Sequence, residues 1–357
     1  IAGYTQYGCG EEAVECFQMM MEDGFSPDAT TFACILKACG RMEVVKGQEI
    51  HAQIVEEGWL GKDVLVGNAL VDMYAKCGRI EQAQMVFNEL CVRDIISWNA
   101  LISGYVQHGK DAEVIDCFEQ MKNDLISPDV VTYVCTLKAC GSTRMIEKGK
   151  EVHTEIVKGQ FLEKYVLLGN ALVDMYVKFC DMERAQNVFD GFHLRDVVTW
   201  NTLIAGYAQH GHNEKSLHCF EYMQNEGVCP NAFTFASILK ACANIGEADK
   251  GLFIHAMIAS EALIGKDTFI GNALVDFYAK CRLIAKAKAV FDELPDRDVI
   301  SWTTLIGGYA EHGKGEEALS CFELMQIERL SPDVVTFSCS LKACGIVKAV
   351  HLGHEIH

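Results

Sequence analysis

Gly67-Asn68-Ala69-Leu70-Val71-Asp72-Met73-Tyr74-Ala75-Lys76-Cys77 decides the fold, because this stretch returns twice along the chain. Its first six residues stand again at Gly169 to Asp174 and at Gly271 to Asp276, a step of 102 residues each time. Trp98, Trp200 and Trp302 keep that step, and so do His51, His153, His255 and His357. Self-similarity at a fixed period marks a stack of small units sharing one continuous core, since no single unit can bury its apolar face alone. Function in such a chain is sought at positions that vary inside a fixed frame.

Each period divides into three pieces, illustrated by 95–129, 130–165 and 166–196, of 35, 36 and 31 residues. The same frame gives 29–63 and 64–94 upstream, then 197–231, 232–267, 268–298 and 299–333 downstream. Partial pieces occupy 1–28 and 334–357. Each piece reads as two helices. In 95–129, Trp98, Leu101, Ile102 and Tyr105 fall on one helical face, and Val114, Ile115, Phe118 and Met121 on another. His108-Gly109 closes the first helix with a left-handed glycine. Ser127-Pro128 stops the second, and Asp129 caps the helix that follows. Pro27, Pro128, Pro230 and Pro332 hold the same punctuating place. No strand pattern competes. The expected fold is all-α, a right-handed α-solenoid superhelix of stacked helix-turn-helix repeats, nine complete and two partial.

Half of the residues are apolar, enough for a sizeable core, yet no run approaches the ~18 needed to cross a bilayer. Seventeen cysteines do not read as a disulfide framework. Cys39, Cys140, Cys242 and Cys344 each end a Leu-Lys-Ala-Cys, Cys77 and Cys281 share another place, and no Cys-x-x-Cys occurs. In-phase cysteines on helices read as small buried hydrophobes of a reducing compartment. Cys34 and Cys39 both read as core. The net charge of −18, from 49 acidic against 31 basic residues, weighs against a nucleic-acid ligand.

The motif residues nevertheless point to one family. Ile96-Ser97-Trp98-Asn99-Ala100-Leu101-Ile102-Ser103-Gly104-Tyr105, Phe235-Ala236-Ser237-Ile238-Leu239-Lys240-Ala241-Cys242 and the Gly67 to Cys77 stretch are three distinct signatures. With their lengths they resemble the normal, long and short motifs of a plant organellar pentatricopeptide repeat protein, in which the three alternate. The resemblance runs over essentially all of the chain.

It implies single-stranded RNA binding at one base per repeat, read by a side-chain code. The fifth and last residues of a motif contact the base edge, and the second residue packs on the base face. Asn suits the fifth place because it offers both donor and acceptor. Carried over, the short motifs give Asn68 with Asp94, Asn170 with Asp196 and Asn272 with Asp298, each implying U. Among the normal motifs, Asn99 with Asp129 implies U, Asn201 with Asn231 implies C or U, and Thr303 with Asp333 implies G. Asp28 alone remains of the first pair, implying U or G. The second residues are Leu65, Ile96, Leu167, Val198, Phe269 and Ile300. The long motifs depart from the code: Ala33 with Asp63, Val134 with Tyr165 and Ala236 with Asp267 put an aliphatic group where a base edge would be read. The implied target, 5′ to 3′ along the chain, is (U/G)-N-U-U-N-U-Y-N-U-G-N.

Charge patterning tempers the acidic balance. Asp111, Glu113, Asp116 and Glu119, and Glu316, Glu317 and Glu323, fall on second helices expected to face outward. The first helices carry Lys37, Lys138, Lys240 and Lys342 in long motifs, and Lys76, Lys178 and Lys280 in short ones. That row suits phosphates. Asp72, Asp174 and Asp276 interrupt it, so modest affinity with a shallow salt dependence is expected.

Other motifs are weaker. Gly104 to Lys110 and Gly308 to Lys314 imitate a phosphate loop but lack the following Ser or Thr and sit at a helix end. His351, His354 and His357 imitate metal spacing, and His357 is simply the repeat of His51. His108, His210 and His312 read as turn residues. Asn68 and its counterparts could also cap a helix. No catalytic centre, metal or cofactor is expected, and neither is a membrane or small-molecule partner.

The resemblance places the parent protein in a mitochondrion or chloroplast, its targeting segment outside this stretch. It implies a role in specifying sites for RNA processing such as C-to-U editing, with an editing accessory protein or deaminase domain as further partner. An organellar splicing or stability factor and a protein-interaction helical scaffold stay open as alternatives.

Overall fold

The computed structural model describes residues 1–40, 42, 44–191, 193–261, 267–349 and 351. His354 and His357 lie outside them, as do parts of the pieces 29–63, 232–267 and 334–357. Every regular element among the described residues is helical. The chain forms two compact units, Ile1–Phe179 and Cys180–His357.

The first unit runs α1 (Ala2–Tyr7), α2 (Gly10–Glu22), α3 (Ala29–Cys39), α4 (Val44–Glu56), α5 (Val64–Lys76), α6 (Ile80–Glu89), α7 (Ile95–Gln107), α8 (Asp111–Asn123), α9 (Val130–Thr143), α10 (Ile146–Lys158) and α11 (Val166–Lys178), with a 3-10 turn at Trp59–Gly61. The second runs α12 (Met182–Gly191), α13 (Val197–Gln209), α14 (Asn213–Asn225), α15 (Ala232–Ile245), α16 (Ala248–Ser260), α17 (Thr268–Lys280), α18 (Ile284–Glu293), α19 (Val299–Glu311), α20 (Gly315–Ile327) and α21 (Val334–Val347).

Each unit is a solenoid of helix pairs. A first helix packs on its own partner and on the first helices before and after it: α5 touches α3, α6 and α7, and α17 touches α15, α18 and α19. The repeated side chains explain the stacking. Trp98 is buried edge-on against Phe87 at 4.6 Å, and Trp302 meets Phe291 likewise at 4.7 Å. Arg93 and Arg297 cover those phenylalanines and bond the Phe87 and Phe291 carbonyls. Gly104 allows α7 to approach α5, because a methyl group there would stand 2.7 Å from the Ala75 Cβ.

Local chemistry sets the helix limits. Asp94, Asp129, Asp196, Asn231, Asp298 and Asp333 each accept the N–H three residues on, and the hydroxyl oxygen of that residue accepts the capping residue's own backbone N–H to complete a capping box. Gly109, Gly211 and Gly313 take left-handed backbone after the first helices of the normal motifs. The predicted turn histidines do more than turn: His108 Nε2 meets the Ala75 carbonyl at 2.9 Å and His312 Nε2 the Ala279 carbonyl at 2.6 Å. These bonds tie one motif to the preceding one.

Cys39, Cys140, Cys242 and Cys344 are buried as expected, and burial pushes the Cys39, Cys140 and Cys242 thiols up to about 11. Cys34 corrects the sequence reading, since it is only half-buried. Its place five residues before Cys39 turns it off the core face of α3. No described group of His, Cys, Asp and Glu could hold a metal ion. Among the described residues no helix is long and apolar enough to cross a membrane.

Candidate nucleic-acid interface

The starts of the first helices carry the candidate residues. The second residues Leu65, Ile96, Leu167, Val198, Phe269 and Ile300 are all exposed, an unusual state for large apolar side chains at regular spacing. The fifth residues lie one turn further in, and Asn68, Asn170, Asn201 and Asn272 are buried while Asn99 and Thr303 are half-buried. An apolar side chain at the rim and an amide behind it therefore repeat along each unit.

The amides meet the last residues of their motifs. Asn68 Nδ2 donates to Asp94 Oδ1 at 3.0 Å, and Asn272 Nδ2 to Asp298 Oδ1 at 3.2 Å. Asn99 Nδ2 reaches both Asp129 oxygens at 3.0 Å, and Asn201 Nδ2 donates to Asn231 Oδ1 at 3.0 Å. Thr303 does not touch Asp333 in this way: its hydroxyl bonds that of Thr336 at 2.6 Å. Asn170 belongs to the first unit and Asp196 to the second. The helix-cap alternative for the asparagines is corrected here. Asn68 and Asn272 sit inside α5 and α17, whose caps are Asp63 and Asp267.

Asp94 and Asp298 thus do two things. One carboxylate oxygen, Oδ1, holds the next helix start and the fifth-residue amide, which leaves acceptor capacity on the other. For Asp298, burial works to raise the pKa and is outweighed by hydrogen bonds from Ser301 and Asn272, so the carboxyl lies below its ordinary range. The Thr31 and Thr336 bonds depress Asp28 and Asp333 in the same direction.

In the first unit these residues border a cavity of about 390 Å³ lined by Leu65, Asn68, Ile96 and Asn99, with Lys37 and Asp72 at its edge. The second and fifth residues of two successive motifs thus share one cavity. Lysines divide by motif. Lys76, Lys178 and Lys280 pair with Asp72, Asp174 and Asp276 at 2.6, 2.8 and 2.7 Å, so their charge is largely balanced. Lys37, Lys138 and Lys240 are exposed and make no ion pair with the described residues.

Two sets of residues were missed in the sequence. Phe233, second in its long motif, lies half-exposed with its ring near-parallel to Phe269, 6.5 Å between centroids. The hydroxyls of Thr132 and Thr234, third in their motifs, donate to Asn99 Oδ1 at 2.7 Å and Asn201 Oδ1 at 2.6 Å. A signal for the second set was present: the third residue is a hydroxyl after a polar fifth residue and aliphatic (Val66, Leu168, Ile270) after Ala33, Val134 and Ala236.

Comparison with known proteins gives the family. The model described as PPR repeat family matches residues 93–142, 195–244 and 297–345, and that described as PPR repeat matches 1–25, 68–95 and 272–299. Among Arabidopsis thaliana proteins, the chloroplastic pentatricopeptide repeat-containing protein At1g15510 is 33% identical over 359 residues, covering 100% of this chain and 41% of its own. The chloroplastic At4g18520 protein is 36% identical over 349 residues, covering 98% and 56%. The putative mitochondrial At3g11460 protein is 35% identical, covering 93% and 54%. The chain spans about half the length of the curated relatives it matches. In fold it is similar to the pentatricopeptide repeat protein PPR10, solved in complex with an 18-nt psaJ RNA element, at a TM-score of 0.69, 18% identity and coverage of 100% of this chain and 58% of that one. PPR10 from maize gives 0.62, again at 18% identity, over 99% and 56%. With these matches running along its repeats, the chain belongs to the pentatricopeptide repeat family.

Proposed function

We propose that this chain binds single-stranded RNA and reads base edges with the fifth and last residues of its normal and short motifs. The observation that carries the reading is the bond between those residues across 26 to 30 positions of sequence. Peptide-binding scaffolds have no need of such a lock, repeated behind a rim of exposed apolar side chains.

The chemistry differs by pair. Asn99 has a second N–H free after bonding Asp129, and the carboxylate has an oxygen that accepts. A donor beside an acceptor complements the carbonyl and N3–H of U. Asn201 with Asn231 offers two donors once the Asn231 carbonyl is used, which suits the O2 and N3 acceptors of C. Leu65, Ile96, Leu167, Val198, Phe269 and Ile300 pack on base faces. At the long motif with Ala236 there is no edge reader, and the parallel Phe233 and Phe269 rings make stacking the only term. Lys37, Lys138 and Lys240 serve phosphates first, with the paired Lys76, Lys178 and Lys280 secondary.

The named relatives are chloroplastic or mitochondrial, which supports an organellar setting. We assign the chain to the subclass of alternating normal, long and short motifs, and read its task as choosing a site for organellar RNA processing such as C-to-U editing. A deaminase domain or accessory protein supplies the chemistry. Fluorescence anisotropy with (U/G)-N-U-U-N-U-Y-N-U-G-N against a version carrying purines opposite Asn99, Asn170 and Asn201 tests the reading. Tighter binding of the first by roughly tenfold is expected; equal binding would leave only phosphate contacts.

A further inference from the structure

We propose that the third residue of each following motif is a positioning residue for the recognition asparagine: threonine there holds the amide in one orientation, and serine leaves it free to turn. The inference rests on the RNA-reading role above and adds a third determinant to each code pair.

The two junction types differ in one hydroxyl. Thr132 is fully buried, and its Oγ1 lies 2.7 Å from Asn99 Oδ1 but 3.1 Å from Asp129 Oδ1. A hydroxyl has one proton to give, and the shorter contact takes it. Thr234 does the same for Asn201, at 2.6 Å against 3.1 Å to Asn231 Oδ1. Asn99 and Asn201 therefore have their carbonyls occupied and one N–H given to the last residue. What remains for a base is a donor, in a fixed direction.

Ser97 and Ser301 occupy the equivalent places behind Asn68 and Asn272. Ser97 Oγ bonds only within its own cap, to the Asp94 carbonyl at 2.9 Å and Oδ1 at 3.1 Å. Ser301 Oγ bonds Asp298 Oδ1 at 2.8 Å. Asn68 Oδ1 and Asn272 Oδ1 are buried with no partner. A buried carbonyl left unpaired is unfavourable, so these amides gain by turning when a ligand offers a donor. The β-methyl is the physical difference. It restricts threonine's χ1 in a helix and holds the hydroxyl toward the asparagine, whereas serine has more rotamers and settles on the cap. In the chain the third residue follows the fifth: hydroxyl behind Asn99, Asn201, Thr303, Asn68 and Asn272, aliphatic behind Ala33, Val134 and Ala236.

The test is a reciprocal pair, Thr132→Ser and Ser97→Thr. Both keep the capping hydroxyl, so neither removes the helix start. Anisotropy is measured with four RNAs varied at the base opposite Asn99 and four varied opposite Asn68. Wild type is expected to favour U more sharply opposite Asn99 than opposite Asn68. Thr132→Ser lowers the preference opposite Asn99 by about three- to tenfold, the worth of one hydrogen bond, and leaves the Asn68 position alone. Ser97→Thr does the converse and raises the melting temperature without RNA, since it gives Asn68 Oδ1 a partner. Affinities that fall equally for all four bases would make the third residue a purely structural one and overturn the proposal. So would a Ser97→Thr chain with unchanged preference and unchanged melting. Absence of any base preference in wild type would instead remove the RNA-reading role itself, and this inference with it.

Discussion

Asn99 donates from Nδ2 to both carboxylate oxygens of Asp129, at 3.0 Å each and 30 residues away in sequence. The same carboxylate caps α9 through the Thr132 N–H at 3.0 Å. One side chain therefore starts the first helix of the next motif, orients an amide in its own motif and keeps acceptor capacity for a base. Changing it separates these roles.

Asp129→Asn is expected to retain the cap, because Asn231 caps α15 equally well. The new amide carbonyl accepts from Asn99 and its NH₂ turns outward, as at Asn201–Asn231. The preference opposite this motif should move from U to C by roughly tenfold, one charge-neutral donor for one acceptor. Competition between U- and C-bearing RNAs measures it. Unchanged preference for U would take the carboxylate out of recognition. Asp129→Ala should lose recognition and about 1 kcal/mol of stability together.

Lysine substitutions should split by motif. Lys37, Lys138 and Lys240 replaced together by Ala remove three unpaired charges and should flatten the log K against log salt slope by about 2, at ~0.7 per phosphate for a single strand. Lys76, Lys178 and Lys280 replaced together free three aspartates from their ion pairs, and the slope should change by less than half of that. A salt titration of each variant decides; equal effects would mean that the aspartate pairing does not hold in solution.

Gly104→Ala should cost about 1–3 kcal/mol, since the added methyl would press on the Ala75 and Ile80 side chains between α7 and α5. Urea denaturation monitors it. Gly109→Ala tests a different mechanism, a left-handed backbone with open space around it, and should cost about 1 kcal/mol through strain alone.

Acid should loosen the fold through His51 and His255. Burial holds both imidazoles below their ordinary 6.5, against the raising effect of Glu89 and Glu293. The unfolded chain takes up protons near pH 6.5 that the folded chain refuses, so stability is full above that value and falls as pH drops through it toward the folded pKa. His51 Nδ1 also bonds the Tyr74 hydroxyl at 2.8 Å and has its other nitrogen buried without a partner, so protonation has nowhere favourable to place the charge. Melting temperature from about pH 7.5 to about pH 5 should decline, and the His51→Gln, His255→Gln double variant should decline less.

Much of this protein was legible in the sequence, because its helices are delimited by local chemistry. A capping Asp or Asn, the proline before it and the glycine after a helix act over three or four residues. Apolar spacing within one helix selects Trp98, Leu101 and Ile102 for the core without reference to any other motif. The acidic second helices and the lysines of the first were equally plain. Tertiary structure decided what depends on distance between motifs. It placed Asn68 inside α5 against Asp94 rather than at a cap, brought His108 to the Ala75 carbonyl, and turned Cys34 partly out of the core. It also gave the Thr132 and Thr234 hydroxyls to the asparagines of the preceding motif, and left Asn68 and Asn272 without that partner. Periodicity states which residues recur. Which of two nearby acceptors receives a single hydroxyl proton is set by differences of tenths of an ångström, and only the stacked helices fix those.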